Sequence, residues 1–216
     1  GKILTIARLN KIDHITIPSG MPPRAAIAYS IIQMFFILNF FKIINDEFIE
    51  DFEQAAKLIK NERKYIEDEA KKIATILMGK IPVIYAPVRF EGVATRFRQE
   101  LNENAKMLGW SNFIPEMNHN EVLGWSEKNE KLAVILFRND DDYNRISKRI
   151  DLTKAVVLQY AGNVVEIYSK GNSLIEKTIY QIHIGDWISL ILAEMKNIDP
   201  DEIKVIDNFK ASLAQS

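Results

Sequence analysis

An α/β fold, doubly wound around a mainly parallel sheet flanked by helices, is predicted by three features of the sequence. Short β-branched apolar runs alternate with longer amphipathic stretches, the order expected of strands joined by right-handed helical crossovers. With 47% hydrophobic residues among 216, the chain has material for a substantial core. That length holds one domain or two small ones, and no internal repeat, low-complexity tract or Pro/Gly/Ser linker divides it.

Strands are expected at residues 12–17, 81–85, 132–137 and 164–168, each a short run rich in Ile and Val. Pro22-Pro23 opens a helix, because proline suits a first helical turn. The apolar run that follows, residues 25–41, is interrupted by Ser30, Gln33 and Asn39. It falls short of the ~18 to 20 uninterrupted apolar residues of a membrane span and reads as a buried helix. From about Asp46 to Met78 the pattern is strongly amphipathic. Phe48, Phe52, Ala55 and Ile59 set a stripe that Ile66, Ala70, Ile73 and Leu77 continue about five helical turns later. Gly79 ends it, and the interleaved Glu and Lys read as a solvated face with i,i+4 pairs.

A helix is expected over residues 93–108, with Val93, Phe97, Leu101 and Leu108 buried. Ser173 and Glu176 have capping-box spacing and start a helix running to about Lys196. Asp199-Pro200 begins a final helix that ends near Leu213. The chain starts at Gly1 in mid-pattern, as a fragment of a longer chain does, and no signal peptide is indicated.

Composition narrows the chemistry. Lys and Arg number 28 against 29 Asp and Glu, a net charge of −1 that gives no electrostatic footprint for nucleic acid or an anionic membrane. Cysteine is absent, which excludes disulfides, thiolate catalysis and Cys-ligated metals. The three histidines, His14, His119 and His183, form no close pair, so no metal site is expected. The composition suits a soluble, cytoplasmic protein.

No Gly-rich phosphate fingerprint, P-loop or nucleophile elbow occurs. Residues 169–173, Ser-Lys-Gly-Asn-Ser, read as a turn with a helix cap or, less simply, as an anion cradle. Polar density is highest between Arg96 and Glu121. On spacing alone, Arg96, Gln99 and Glu103 read as a solvated face with Glu103 paired to Lys106, and His119 as a surface histidine. Arg24 is odder. A cation at a helix start opposes the helix dipole, and an anionic partner explains it better than local stability.

Four pieces of the chain change this balance: Pro-Ser-Gly-Met-Pro-Pro-Arg-Ala-Ala at 18–26, Arg-Phe-Arg-Gln-Glu-Leu-Asn-Glu-Asn-Ala-Lys at 96–106, Pro-Glu-Met-Asn-His-Asn-Glu at 115–121, and the tail bearing Lys210. In that order they resemble the bifunctional phosphoglucose/phosphomannose isomerases of the sugar isomerase (SIS) fold. The resemblance implies that residues 1–216 are a single SIS-type domain, the second of two. Residues 1–79 would include the inter-domain connection and the long amphipathic helix.

The resemblance further implies isomerisation of fructose 6-phosphate with glucose 6-phosphate or mannose 6-phosphate, without metal or organic cofactor. Glu103 matches the carboxylate base that moves a proton between C2 and C1. His119 matches the shuttle for ring opening, a role suited to imidazole near neutral pH. Arg24 matches the guanidinium that stabilises the enediolate, and Lys210 a C-terminal lysine that assists ring opening, with Lys204 a weaker substitute. In the family the histidine comes across a dimer interface, so a homodimer is implied. The sugar phosphate is held there largely by the first SIS domain, and nothing in this chain replaces that loop. Without that anchor the chain alone is expected to turn over poorly or not at all. The alternative is a non-catalytic SIS module that binds a sugar phosphate for regulation or scaffolding. Without a helix-turn-helix region or basic patch, a nucleic-acid role has no support.

Overall fold

The computed structural model describes residues 2–214. The chain divides into two compact units, residues 1–50 and 51–216, and each is described by itself.

In the first unit, α1 (Lys2–Leu9) is followed by an irregular extended segment, a short 3-10 turn at Pro23–Ala26, and α2 (Ile27–Phe40). The strand expected at residues 12–17 does not form. Ile12, Ile15 and Ile17 are exposed and pair with no ladder, since β-branched residues make a strand only where a neighbouring edge accepts their hydrogen bonds. The apolar run is helical as expected, but it is not the buried helix its composition suggests. None of α2's residues is buried, and Phe40 and Phe41 are largely exposed. Residues Pro23–Phe40 are long and apolar enough to cross a membrane by length and composition. Phe35 and Phe36 stack against Phe48, with ring centroids 5.5 and 5.2 Å apart.

The long amphipathic pattern becomes α3 (Glu47–Leu77), which begins in the first unit and continues into the second. Ile66, Ala70, Ile73 and Leu77 are buried along its stripe. Arg63–Glu67 and Lys64–Asp68 pair on the solvated side, contacts of a few tenths of a kcal/mol each. Gly79 takes a left-handed φ of 72°, which lets the chain leave the helix.

The second unit is an α/β layer structure. Four strands, β1 (Ile81–Pro87), β2 (Trp110–Ile114), β3 (Asn129–Arg138) and β4 (Ala161–Tyr168), form one parallel sheet in the order β2-β1-β3-β4. The chain winds from β1 to one side and returns to the other, as a doubly wound sheet does. Side chains alternate between two cores. Ile84, Ala86, Ile135, Phe137 and Ile167 meet α3, α4 (Glu91–Glu103) and α6 (Leu174–Met195). Val83, Tyr85, Val134 and Leu136 meet Ile150 and Val157 of α5 (Asn144–Val157), together with Met117 and Trp125.

Two helix boundaries differ from expectation. The first is α4, which stops at Glu103 because Lys106 adopts a left-handed backbone, φ 52°, leaving Leu108 outside the buried stripe and exposed. The final helix, α7 (Lys204–Leu213), starts later than Asp199-Pro200. Asp199 Oδ1 accepts from the Asp201 amide and Glu202 Oε1 from the Lys204 amide, so local turns use the residues expected to open the helix. Neither β2 nor α5 is among the expected elements. The expected capping box at Ser173 forms.

Candidate active site

Glu103 is the last residue of α4, which runs back against the strand direction between β1 and β2. It therefore lies at the edge where the strands begin. The turn after it is pinned from several sides. Lys106 Nζ donates to the carbonyl of Glu103 at 2.5 Å and to that of Pro200 at 3.3 Å. Asn102 Nδ2 donates to the Met107 carbonyl at 2.6 Å, and Lys196 Nζ to that of Ala105 at 2.5 Å. Half-buried, Glu103 lines an open cavity of about 390 Å³ with Asn102, Lys106, Glu202, Ile203, Val205 and Ile206. The start of α7 thus walls the cavity. Lys210 is exposed one turn beyond Ile206 and is not among the lining residues, nor is Lys204.

His119 is exposed on a turn beyond the carboxyl end of β2, on the face that carries α5. Its neighbours are tied down. Asn118 Nδ2 donates to Thr153 Oγ1 at 2.9 Å, and Asn120 Nδ2 to Glu116 Oε1 at 3.1 Å. The Glu121 carboxylate accepts from the Tyr85 hydroxyl, Trp110 Nε1 and Asn112 Nδ2 at 2.5–2.7 Å. Burial, and then the Glu121 carboxylate, push the Tyr85 phenol far above its ordinary range, so it remains a donor.

Within one chain, then, Glu103 and His119 sit on opposite faces and opposite edges of the sheet. Arg24 lies in the first unit, half-buried on the 3-10 turn that Pro23 opens. Of the four residues selected from the sequence, Glu103 alone lines the cavity.

Doubly wound sheets bind ligands at the carboxyl edge of the strands. Here that edge carries internal ion pairs. Lys177, almost fully buried, donates to Asp140 at 2.6 Å and pairs with Asp141 at 2.9 Å, while Arg89 reaches Asp141 at 3.5 Å. The hydrogen bond from Lys177 holds the Asp141 carboxyl below its ordinary range.

Sequence reasoning missed a charged network behind Glu103. Arg96 bonds Glu100 at 3.0 Å and both oxygens of Asp186 on α6 at 3.0 and 3.1 Å. Asn104 Nδ2 bridges Glu100 Oε2 and Ser189 Oγ, each at 2.9 Å. Burial pushes the Glu100 carboxyl up to about 7; Arg96 opposes the rise, and the charges of Asp186 and Glu103 add to it. A signal was present: Glu100 sits beside Leu101 and three residues after Phe97, at the border of the buried stripe.

Residues 66–213 match the model of the bacterial phospho-glucose isomerase C-terminal SIS domain. The chain belongs to this family. A bifunctional phosphoglucose/phosphomannose isomerase from Aquifex aeolicus is 30% identical over 99% of this chain and 65% of its own length. One from Thermoplasma volcanium is 34% identical over 94% of this chain and 64% of its own. The chain thus spans about two thirds of the length of these relatives. A solved structure, the C-terminal domain of glucosamine-fructose-6-phosphate aminotransferase from Francisella tularensis, superposes with a TM-score of 0.60. It is 12% identical and covers 72% of this chain and 47% of its own, a likeness of fold alone.

Proposed function

We propose that this SIS domain contributes the base to an enzyme that interconverts fructose 6-phosphate with glucose 6-phosphate and mannose 6-phosphate. Homology over nearly the whole chain supports the sugar-phosphate class. The observation that carries the reading is Glu103, a half-buried carboxylate at a pinned helix end, lining a cavity of about 390 Å³. The base takes a proton from C1 of the open ketose, leaving an enediolate, exchanges it with solvent and delivers a proton to C2, so the step is a redox-neutral proton transfer. Binding energy from the phosphate positions the reacting carbons, and that anchor belongs to an SIS domain preceding residues 1–79.

By the family resemblance, His119 and Lys210 assist ring opening and the Arg24 guanidinium stabilises the enediolate. The separation of His119 from Glu103 within one chain supports a homodimer in which each copy lends its histidine to the other.

The alternative is sugar-phosphate binding without turnover. Arg89, Arg138 and Lys177 at the carboxyl edge are each engaged by carboxylates, in keeping with a phosphate anchor on another domain. The purified chain with fructose 6-phosphate in deuterated water, followed by proton NMR, tests for turnover. Aldose 6-phosphates deuterated at C2, lost in Glu103→Gln, are the expected result, and the epimers formed give the specificity. No product over hours would show that the chain is not a self-sufficient isomerase, first for want of the phosphate-binding domain and second as a purely binding module.

A further inference from the structure

The α4–α6 interface behind Glu103 is built in a way that hydrophobic packing alone does not require. One guanidinium, Arg96, faces two carboxyl groups, Glu100 and Asp186, in a contact where Glu100 is 4% exposed. Gly185 brings the helices close, since a Cβ there would stand 3.0 Å from the Phe97 ring. Glu100 also acts on the chain after the helix. Its carbonyl accepts the Asn104 amide at 2.8 Å, and its carboxyl accepts the Asn104 side chain. The same Asn104 Nδ2 reaches Ser189 Oγ, whose hydroxyl donates to the Asp186 carbonyl at 2.8 Å. Asn104 directly follows Glu103, so the network grips the backbone that carries the base.

We propose that Glu100 is a positioning residue for Glu103: its carboxyl group anchors, through Asn104, the end of α4 that carries Glu103. This rests on Glu103 being the base. The charged groups facing Glu100 are Arg96 and Glu103 on its own helix and Asp186 on α6. Lys196 of α6 is turned to the Ala105 carbonyl. Burial first, and then the nearby Asp186 and Glu103 carboxyls against the single Arg96 cation, let Glu100 keep a proton to a higher pH than a surface glutamate.

The test has two readouts on the full chain. With carbon-13-labelled glutamate, the side-chain resonance that disappears in Glu100→Gln is followed through a pH titration. It is expected to titrate near pH 7, and to move down by about half a unit in Glu103→Gln, where a neighbouring negative charge is gone. If Glu100→Gln does not fold, the resonance is assigned through Asp186→Asn, which is expected to move it down as well. A Glu100 that titrates in the ordinary carboxylate range, or that ignores Glu103→Gln, overturns the proposal.

The second readout is turnover. Glu100→Gln is expected to lower kcat about tenfold with KM within about twofold, and to lack the inflection near pH 7 expected of the wild type. Full turnover in Glu103→Gln would remove the base itself and the proposal with it. A dead Glu103→Gln beside an unresponsive Glu100 sinks the proposal alone. If the wild-type chain turns nothing over, the titration decides.

Discussion

The Tyr85 hydroxyl donates to Glu121 Oε1 at 2.5 Å, tying the middle of β1 to the loop that presents His119. Trp125 Nε1 donates to the same hydroxyl at 3.1 Å, so the phenol is donor and acceptor at once inside the sheet's second core. Tyr85→Phe deletes both bonds and leaves a buried indole N–H without a partner. A loss of about 1–3 kcal/mol is expected in urea unfolding. Glu121→Gln should cost at least as much, because an amide cannot accept from three donors on two oxygens. Equal stability of both variants and the wild type would show that the loop is held by something else.

Glu100 gives stability an unusual pH dependence. Its folded value of about 7 lies above the ordinary 4.5, so between those pH values the folded chain binds more protons than the unfolded one. Stability therefore falls as pH rises through this window, by up to ~3 kcal/mol. Unfolding free energies of wild type and Glu100→Gln at pH 5 and pH 8 isolate the effect. The variant is expected to lose less stability over the interval than the wild type; parallel losses would place Glu100 in the ordinary range.

The strand-end ion pairs predict a contrast between two neighbours. Side chains of Lys177 and Asp140 are 4% and 80% exposed. Lys177→Met strips a buried donor from Asp141 and is expected to cost about 1–3 kcal/mol. Asp140→Asn changes a solvated partner and should cost no more than about 0.5 kcal/mol. Urea denaturation of the two variants checks the order, and a larger loss from Asp140→Asn would reverse the assignment of the main partner.

How far these relations were legible in the sequence follows from what each rests on. Patterns carried by one segment, such as the α3 stripe, the Gly79 stop and the Ser173 capping box, appear in the structure where the spacing put them. Elements that depend on distant partners were harder to read. With Ser111 and Asn112 at its centre, β2 has no apolar run and becomes a strand by pairing with β1. The reverse holds for residues 12–17, whose isoleucines look like a strand and find no edge. Ile146, Ile150 and Val157 of α5 did carry helical spacing, though in a segment of polar residues. The local motif around Glu103 pointed to that residue, whereas the Arg96–Asp186 pair behind it spans 90 positions and needed the α4–α6 contact.

The placement of Glu103 and His119 on opposite faces and edges of the sheet leads to the most discriminating prediction. Under the proposed homodimer, Glu103→Gln and His119→Ala are each inactive, because every site in either protein lacks one group. A mixed dimer of the two has one site with both groups damaged and one with both intact. Random exchange makes half of all dimers mixed, so an equimolar mixture, unfolded together and refolded, is expected to recover about one quarter of wild-type turnover by the two-fold symmetry of the pair. A site built within one chain would give no recovery, since neither parent chain carries both groups. The deuterium-exchange assay with fructose 6-phosphate reads both outcomes, and each single variant refolded alone supplies the baseline.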